Sequence, residues 1–263
     1  MRLITKALAL NRIDSMSKKN RHGLKRYIPA SIKRTIRKNS GYGCVVCGNA
    51  IVDYEHVDPE WNDAKSHNAS KMTLLCPSCH AKVTRGTLSK ARIKECMKDP
   101  WTFKNGLSYD GLELPATDPK IFIGNSIYQT QTVVLRAYGK NLLQFHPPET
   151  ANSPYRVSGE FYNQAGALIS RIKKNIFESV LGEHDVQFVG TKITVKSPGQ
   201  QKPSLVLERS GGEDLRIEEL NMFYRGISFN VSKEGVLTVL AGRSTFVIDQ
   251  SQFNAKGVIF NFS

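Results

Sequence analysis

Short runs rich in β-branched and aromatic residues fill the second half of the chain, and turn residues separate them. Such punctuated runs are typical of antiparallel strands in a sandwich or barrel. The predicted strands are residues 121–123, 132–136, 191–195, 204–208, 226–231, 236–240, 245–248 and 258–262. One segment has helical spacing instead. Ile169, Ile172, Ile176 and Val180 recur every three or four residues, so we expect a helix within residues 165–181, although part of this segment fits a strand equally well.

The first half of the chain has the apolar spacing of helices. Ile32 and Ile36 lie one helical turn apart, and basic side chains occupy the rest of the helical wheel. This pattern predicts a docked helix that begins near Pro29 and ends before Ser40, with its charges facing nucleic acid. The charged residues concerned are Lys33, Arg34, Arg37 and Lys38. A further short helix is predicted from Ser89 to Met97.

Two Cys-x-x-Cys pairs follow the first predicted helix. Cys44, Cys47, Cys76 and Cys79 supply four thiolates in the pairing that tetrahedral zinc requires. Gly48 follows the first pair, where a residue without Cβ suits a tight turn with positive φ. Because 28 residues separate the two pairs, the metal would close a loop large enough to carry a second set of functional residues.

A strand and a helix are predicted at the ends of this loop. Residues 50–57 are rich in β-branched residues and are followed by Asp58-Pro59, which predicts a strand that ends near His56. Pro77 suits a first helical position, so a helix is expected from there through His80. His80 is rotated by about 100° from the preceding cysteine around this helix, and it can therefore face away from the zinc.

These segments resemble the HNH nucleases of the ββα-metal group, in the subgroup whose small fold is pinned by a four-cysteine zinc site. The matching segments, within residues 30–90, are Cys44-Val-Val-Cys-Gly48, Tyr54-Glu-His-Val-Asp-Pro59 and Leu74-Leu-Cys-Pro-Ser-Cys-His80. The resemblance implies that His56 is the general base. It also implies that Glu55 and His80 bind a catalytic divalent ion, Mg²⁺ or Mn²⁺, while Zn²⁺ is structural. The expected function is metal-dependent hydrolysis of phosphodiester bonds in DNA.

The sequence departs from that family at the middle residue of its motif. The usual Asn and the apolar residue after it are replaced here by Lys71-Met72. Asn62 and Asn68 are candidates for the loop hydrogen bonds or metal contact that the Asn supplies. His67 is a further candidate, as a metal ligand or as an orienting group.

Each candidate also has a structural interpretation. The four cysteines can form a zinc module without catalysis, so the alternative function is a zinc-stabilised DNA-binding module that does not cut. His56 can be an ordinary structural histidine, and His67 an exposed loop residue. Lys82 and Arg85 either contact phosphates or belong to a solvated helix face.

The positive charge is concentrated near the N-terminus. The chain has 263 residues and a net charge of +14, and residues 1–40 contain 12 Lys and Arg against one acidic residue. Residues 110–263 contain 16 Lys and Arg against 15 acidic residues. This distribution predicts salt-sensitive attraction of the N-terminal segment to phosphates. The alternative is a disordered basic arm that serves solubility alone.

These patterns together predict an α+β chain in four parts. They are a basic N-terminal arm and helix at 1–40, the nuclease module at 41–100, a linker at 101–119 and a mostly antiparallel β-rich domain at 120–263. The nearly neutral β-rich domain is expected to choose the substrate, to mediate self-association or to sense a protein partner. No apolar run approaches the about 20 residues of a membrane span, and free cysteines suit a reducing compartment, so a cytoplasmic location is expected.

Overall fold

The computed structural model describes residues 19–112, 114, 120–130, 133–150, 153–210 and 214–263. These residues form an α+β structure that is mostly β-sheet, as the sequence predicted. The chain divides into two compact units, one up to Asn105 and the other from Gly106 onward. Residues 1–18 of the expected basic arm, and residues 113 and 115–119 of the expected linker, lie outside the described residues.

The described part of the first unit contains a small sheet surrounded by helices. Its helices are α1 (Ala30–Asn39), α2 (Pro77–Thr84), α3 (Lys90–Lys98) and α4 (Trp101–Asn105), and its strands are β1 (Asp53–His56) and β2 (Met72–Leu75). The strands pair antiparallel, with Glu55 opposite Thr73 and His56 opposite Met72. A 3₁₀ turn at Ala69–Lys71 leads into β2. The chain therefore forms two strands and then a helix between Asp53 and Thr84.

Helix α1 has the bounds and the buried side that its spacing predicted. Ile36 is fully buried and packs with Ile28, Met72 and Leu74, so α1 docks on the side of the β1–β2 sheet. The expectation that Arg37 faces nucleic acid is wrong, because this side chain is buried. Its guanidinium donates a hydrogen bond of 2.7 Å to the hydroxyl of Tyr54, which ties α1 to β1.

The second unit is built from strands β3 to β19. Their bounds are β3 Leu107–Gly111, β4 Lys120–Ile123, β5 Ser126–Thr130, β6 Val133–Ala137, β7 Lys140–His146, β8 Arg156–Tyr162, β9 Leu168–Lys173, β10 Ile176–Val180, β11 Asp185–Val189, β12 Lys192–Lys196, β13 Leu205–Ser210, β14 Asp214–Tyr224, β15 Ile227–Val231, β16 Leu237–Ala241, β17 Ser244–Ile248, β18 Gln252–Ala255 and β19 Val258–Phe262. Most neighbouring strands are antiparallel, whereas β19 with β6, β4 with β14 and β18 with β5 are parallel.

These strands form two open sheets. One has the order β19-β6-β7-β8-β9-β10-β3, and the other has the order β11-β12-β13-β14-β15-β16-β17, with β4, β5 and β18 attached through β14. Side chains from both sheets line one apolar interior, including Leu142 and Phe161 from the first and Met222 and Phe229 from the second. All four are buried, which is the main source of stability for such a layered unit. The open edges exclude a closed barrel.

The predicted helix within residues 165–181 is wrong. Strands β9 and β10 form a hairpin there, joined at Lys174 and Asn175, whose φ angles of 46° and 71° match the positive values of a two-residue hairpin turn. The Asn175 side chain accepts a hydrogen bond from the Val157 amide at 2.7 Å. Ile172 is buried whereas Ile176 is 46% exposed, so the apolar residues do not share one helical face.

Part of the expected linker has regular structure. Helix α4 occupies its first five residues, and β3 pairs with β10 at the edge of the smaller sheet. Strands β5, β7, β8, β11, β14 and β18 were also not predicted from the sequence. None of the helices in the described part of the chain is long and apolar enough to cross a membrane.

Candidate functional site

The four predicted zinc ligands lie together in the first unit. The sulfur atoms of Cys44, Cys47, Cys76 and Cys79 are all within 4.8 Å of one another. The Cys47 sulfur lies 3.6 Å from that of Cys76 and 3.9 Å from that of Cys79. Four sulfurs bound tetrahedrally at about 2.3 Å from zinc would be about 3.8 Å apart. The cluster therefore has the donor set and the spacing for one zinc ion.

Local structure explains how the cysteines reach this arrangement. Cys76 caps α2, and its sulfur accepts a hydrogen bond from the Cys79 amide. Gly48 has a φ of +81°, as predicted, and a Cβ there would lie only 2.1 Å from the ring of Trp101. The glycine thus allows both the turn after Cys47 and the close approach of Trp101.

The crowded sulfurs strongly influence one another's ionisation. A hydrogen bond from Cys47 lowers the pKa of Cys44 to about 5, and the pKa of the Cys47 thiol is correspondingly raised. Burial raises the pKa of Cys79 to about 12. A divalent cation among the sulfurs would favour the thiolate form of all four, because a coordinating thiol is deprotonated.

Glu55 and His80 meet beside this cluster. Glu55 lies on β1 and His80 follows Cys79 on α2, and the Glu55 Oε2 atom lies 3.0 Å from His80 Nε2. At this distance the two side chains form an ion pair or hydrogen-bonded pair that joins β1 to α2.

His56 is held by a chain of two hydrogen bonds. Its Nε2 atom lies 3.1 Å from Nδ1 of His67, and His67 Nε2 lies 2.9 Å from the carbonyl oxygen of Lys25. A carbonyl oxygen accepts only, so in its neutral form His67 donates through Nε2 and accepts through Nδ1 a hydrogen bond from the N–H at Nε2 of His56. These two hydrogen bonds leave Nδ1 as the ring nitrogen of His56 that can accept a proton. Burial, with His67 as a further cause, lowers the pKa of His56 to about 4, so the ring is neutral near pH 7.

Lys90 enters the site from α3 and was not predicted from the sequence. Its ammonium group pairs with Oε1 of Glu55 and donates a hydrogen bond of 3.2 Å to the carbonyl oxygen of His56. Helix α3 brings it there because Ile93 of the same helix is buried against the cysteines. The cap at Ser89 predicts where this helix begins, but the contact with Glu55 arises from packing between distant segments.

The two asparagine candidates have different positions. Asn62 lines the same cleft as Glu55, His56 and His80. Asn68 caps the 3₁₀ turn, where its side-chain oxygen accepts hydrogen bonds from the amide and hydroxyl of Ser70. The structure thus brings Asn62 to the candidate site and gives Asn68 a local structural role.

The cleft around these residues is open and is lined by both cationic and acidic side chains, the latter being Glu55 and Glu60. It has a volume of about 680 Å³ and is lined by Arg26 and Lys90 as well as by the candidate residues. The Arg26 guanidinium lies 4.4 Å from the ring centroid of Trp61, which also lines the cleft. Neither Arg26 nor Trp61 was singled out by the sequence analysis.

The other predicted phosphate-binding residues differ in exposure. Arg34, Lys38, Lys82 and Arg85 are exposed. Lys33 is half-buried, and its ammonium lies over the rings of Tyr27 and Tyr54. The exposed residues are available to a polyanion, whereas Lys33 is partly engaged by aromatic rings.

Comparison of the chain with protein-family models, curated proteins and solved structures gave no match.

Proposed function

We propose that the first unit is a divalent-metal-dependent endonuclease of the HNH kind that hydrolyses phosphodiester bonds in DNA. The main support for this proposal is that Glu55, His56 and His80 line the same cleft. They lie on a strand-strand-helix unit whose helix begins at the four-cysteine cluster. Structural zinc would hold that helix against the strands, and thereby hold His80 near Glu55.

The residues of the cleft have complementary roles in this reaction. His56 accepts a proton from water through Nδ1, the water oxygen forms a bond to phosphorus, and the bond from phosphorus to the 3′ oxygen breaks. Glu55 and His80 would hold a divalent ion, and such an ion would supply charge stabilisation to the phosphate and to the departing oxygen. Arg26 lines the same cleft and can pair with a neighbouring phosphate, whereas the charge of Lys90 is paired with Glu55.

Cleavage of supercoiled plasmid by zinc-loaded protein tests this proposal. We expect nicking or linearisation with Mg²⁺ or Mn²⁺, and a loss of at least about 100-fold in rate for His56→Ala, because general-base catalysis typically contributes that much. Binding of the same plasmid without divalent ion should be retained. The matched control is His22→Ala, which removes an exposed histidine of the same unit. Cleavage by His56→Ala at the wild-type rate would contradict the proposal.

The alternative is a zinc-stabilised DNA-binding module that does not cut. It is favoured by one observation: Glu55 already pairs with both His80 and Lys90, so its charge is compensated within the protein. Plasmid that is bound but stays supercoiled with either metal, in a protein that contains zinc, would support this alternative.

A further inference from the structure

Strand β17 is an open edge of the larger sheet. Among the described strands it pairs with β16 alone. Phe246 and Val247 are 47% and 66% exposed, and Leu240 of β16 is 48% exposed. Proteins usually protect such an edge with charges, Pro or a bulge, yet Ser244–Ile248 contains no charged residue or Pro and pairs with β16 in unbroken register. An unprotected apolar edge of this kind is a template for another strand.

The register with β16 determines which backbone groups of β17 point outward. Ala241 and Ser244 close a two-residue turn, and Phe246 lies opposite Val239. The closing pair of such a hairpin is hydrogen-bonded, and along an antiparallel ladder hydrogen-bonded pairs alternate with non-hydrogen-bonded pairs. Thr245 and Val247 are therefore in non-hydrogen-bonded pairs with β16. The N–H and C=O groups of Thr245 and Val247 therefore point away from β16.

Antiparallel pairing with a second β17 matches these outward groups when it is centred on Phe246. Thr245 of one copy then lies opposite Val247 of the other, and both residues present their backbone groups to the partner strand. The two Phe246 side chains become cross-strand neighbours, within about 4.5–5.5 Å at Cβ. The same residues thus supply both halves of the interface.

The charges at the two ends of β17 are complementary in this same register. Arg243, the second residue of the β16–β17 turn, and Asp249, the residue after β17, are both three residues from Phe246, so the twofold axis brings Arg243 of one copy to the same end of the paired strands as Asp249 of the other. Both are exposed, and Asp249 accepts one hydrogen bond of 3.2 Å from Asn125, which leaves its second oxygen for a cross-strand ion pair. We propose that two copies of this chain associate edge to edge through β17, about a twofold axis at Phe246. This inference is independent of the proposed nuclease activity.

Sedimentation velocity of the full chain over a range of concentrations tests the dimer. We expect a species of twice 29.4 kDa at high concentration. Arg243→Asp or Asp249→Arg alone should raise the dissociation constant by about tenfold, because each creates two like-charge pairs, and the double variant should restore association. Arg225→Asp, an exposed hairpin-turn charge elsewhere in the sheet, is the matched control and should leave the constant unchanged.

A backbone variant provides a second test that does not depend on charge. Val247→Pro removes an N–H group that points away from β16, so the fold should remain intact, as checked by circular dichroism, while the dimer is lost. A chain that stays monomeric at every concentration would overturn the proposal. A dimer whose dissociation constant is unchanged by both Arg243→Asp and Val247→Pro would also overturn it.

Discussion

The lowered pKa of His56 makes a prediction about stability. Burial and the nearby His67 hold the folded-state pKa at about 4, against an ordinary value of 6.5. Below pH 6.5 the unfolded chain binds a proton that the folded chain does not, so stability is lost as the pH falls from 6.5 toward 4. We expect this loss to be on the order of 2–3 kcal/mol larger in the wild type than in His56→Gln. Urea unfolding of both proteins across this pH range measures the difference, and parallel curves would contradict it.

Lys90 makes a prediction about metal affinity. Its ammonium occupies the side of Glu55 that faces α3, and it therefore competes with any cation that this carboxylate binds. We expect Lys90→Met to tighten Mn²⁺ binding by about tenfold, because an ion pair of this kind is worth roughly 1–4 kcal/mol. Isothermal titration calorimetry of the zinc-loaded protein measures this affinity.

Lys94→Met is the matched control for Lys90. Lys94 lies one turn further along α3 and pairs with Asp58 at 2.7 Å, outside the Glu55 pair. Its removal should leave the Mn²⁺ affinity within about twofold of the wild type. Equal tightening in both variants would show that the helix charge, and not the contact with Glu55, determines the affinity.

The candidate site was predictable only where its residues belong to recognisable sequence motifs. The cysteine pairs and the Glu55-His56 segment occur at spacings that indicate chemistry. Lys90 and Arg26 belong to no sequence motif, because their positions in the cleft depend on how α3 and the segment before α1 pack. The orienting role that was one alternative for His67 agrees with its contact to His56, but spacing alone did not distinguish it from a metal ligand.

At the scale of elements, α2 links the four-cysteine cluster to the proposed catalytic residues. Cys79 and His80 are adjacent on it, so loss of zinc should release the helix that positions His80. We expect one zinc per chain in the wild type, and loss of zinc with a clear fall in melting temperature for Cys79→Ser. Cys96→Ala is the control, because Cys96 is buried in the same core but outside the four-cysteine cluster. Zinc at the wild-type level in Cys79→Ser would contradict the assignment.

Helices whose first turn contains a capping residue or a proline were predictable, whereas elements that depend on pairing between distant segments were not. Pro29 and Ser89 each precede a helix, and Pro77 is the first residue of one, where the sequence predicted these helices. The β9–β10 hairpin was mistaken for a helix because its isoleucines also fit a 3.6-residue period and its turn contains no glycine. Asn175 supplies the positive φ that glycine usually provides.

At the scale of the whole molecule, the uneven charge predicts that the proposed DNA binding depends strongly on salt. Replacing the exposed pair Arg34 and Lys38 by Gln should reduce the slope of log K against log salt by up to about 1.8, since each phosphate contact contributes about 0.9. Arg37→Gln should leave that slope unchanged and lower the melting temperature instead, because Arg37 is bonded to Tyr54. Fluorescence anisotropy at several salt concentrations distinguishes the variants. Equal slopes for all of them would place the DNA elsewhere.

The second unit shows what patterning determines for a large β structure. Each of the eight predicted runs contains a strand, because β-branched and aromatic residues favour a pleated half-buried surface. Thr132, at the start of one run, lies outside the described residues. The order of the strands within the sheets could not be predicted from this pattern, since β4 pairs with β14 and β6 pairs with β19 across many intervening residues. Such pairings depend on the packing of both sheets around one interior.

The positions of the two tryptophans give the molecule built-in optical probes. Trp101 lies against Gly48 beside the cysteine cluster, and Trp61 lies under Arg26 in the cleft. The chain has two tryptophans in total, so a single replacement of either by Phe leaves an emission spectrum from one defined location. Quenching or spectral shifts can then separate events at the cysteine cluster from polyanion entry into the cleft, without any attached dye.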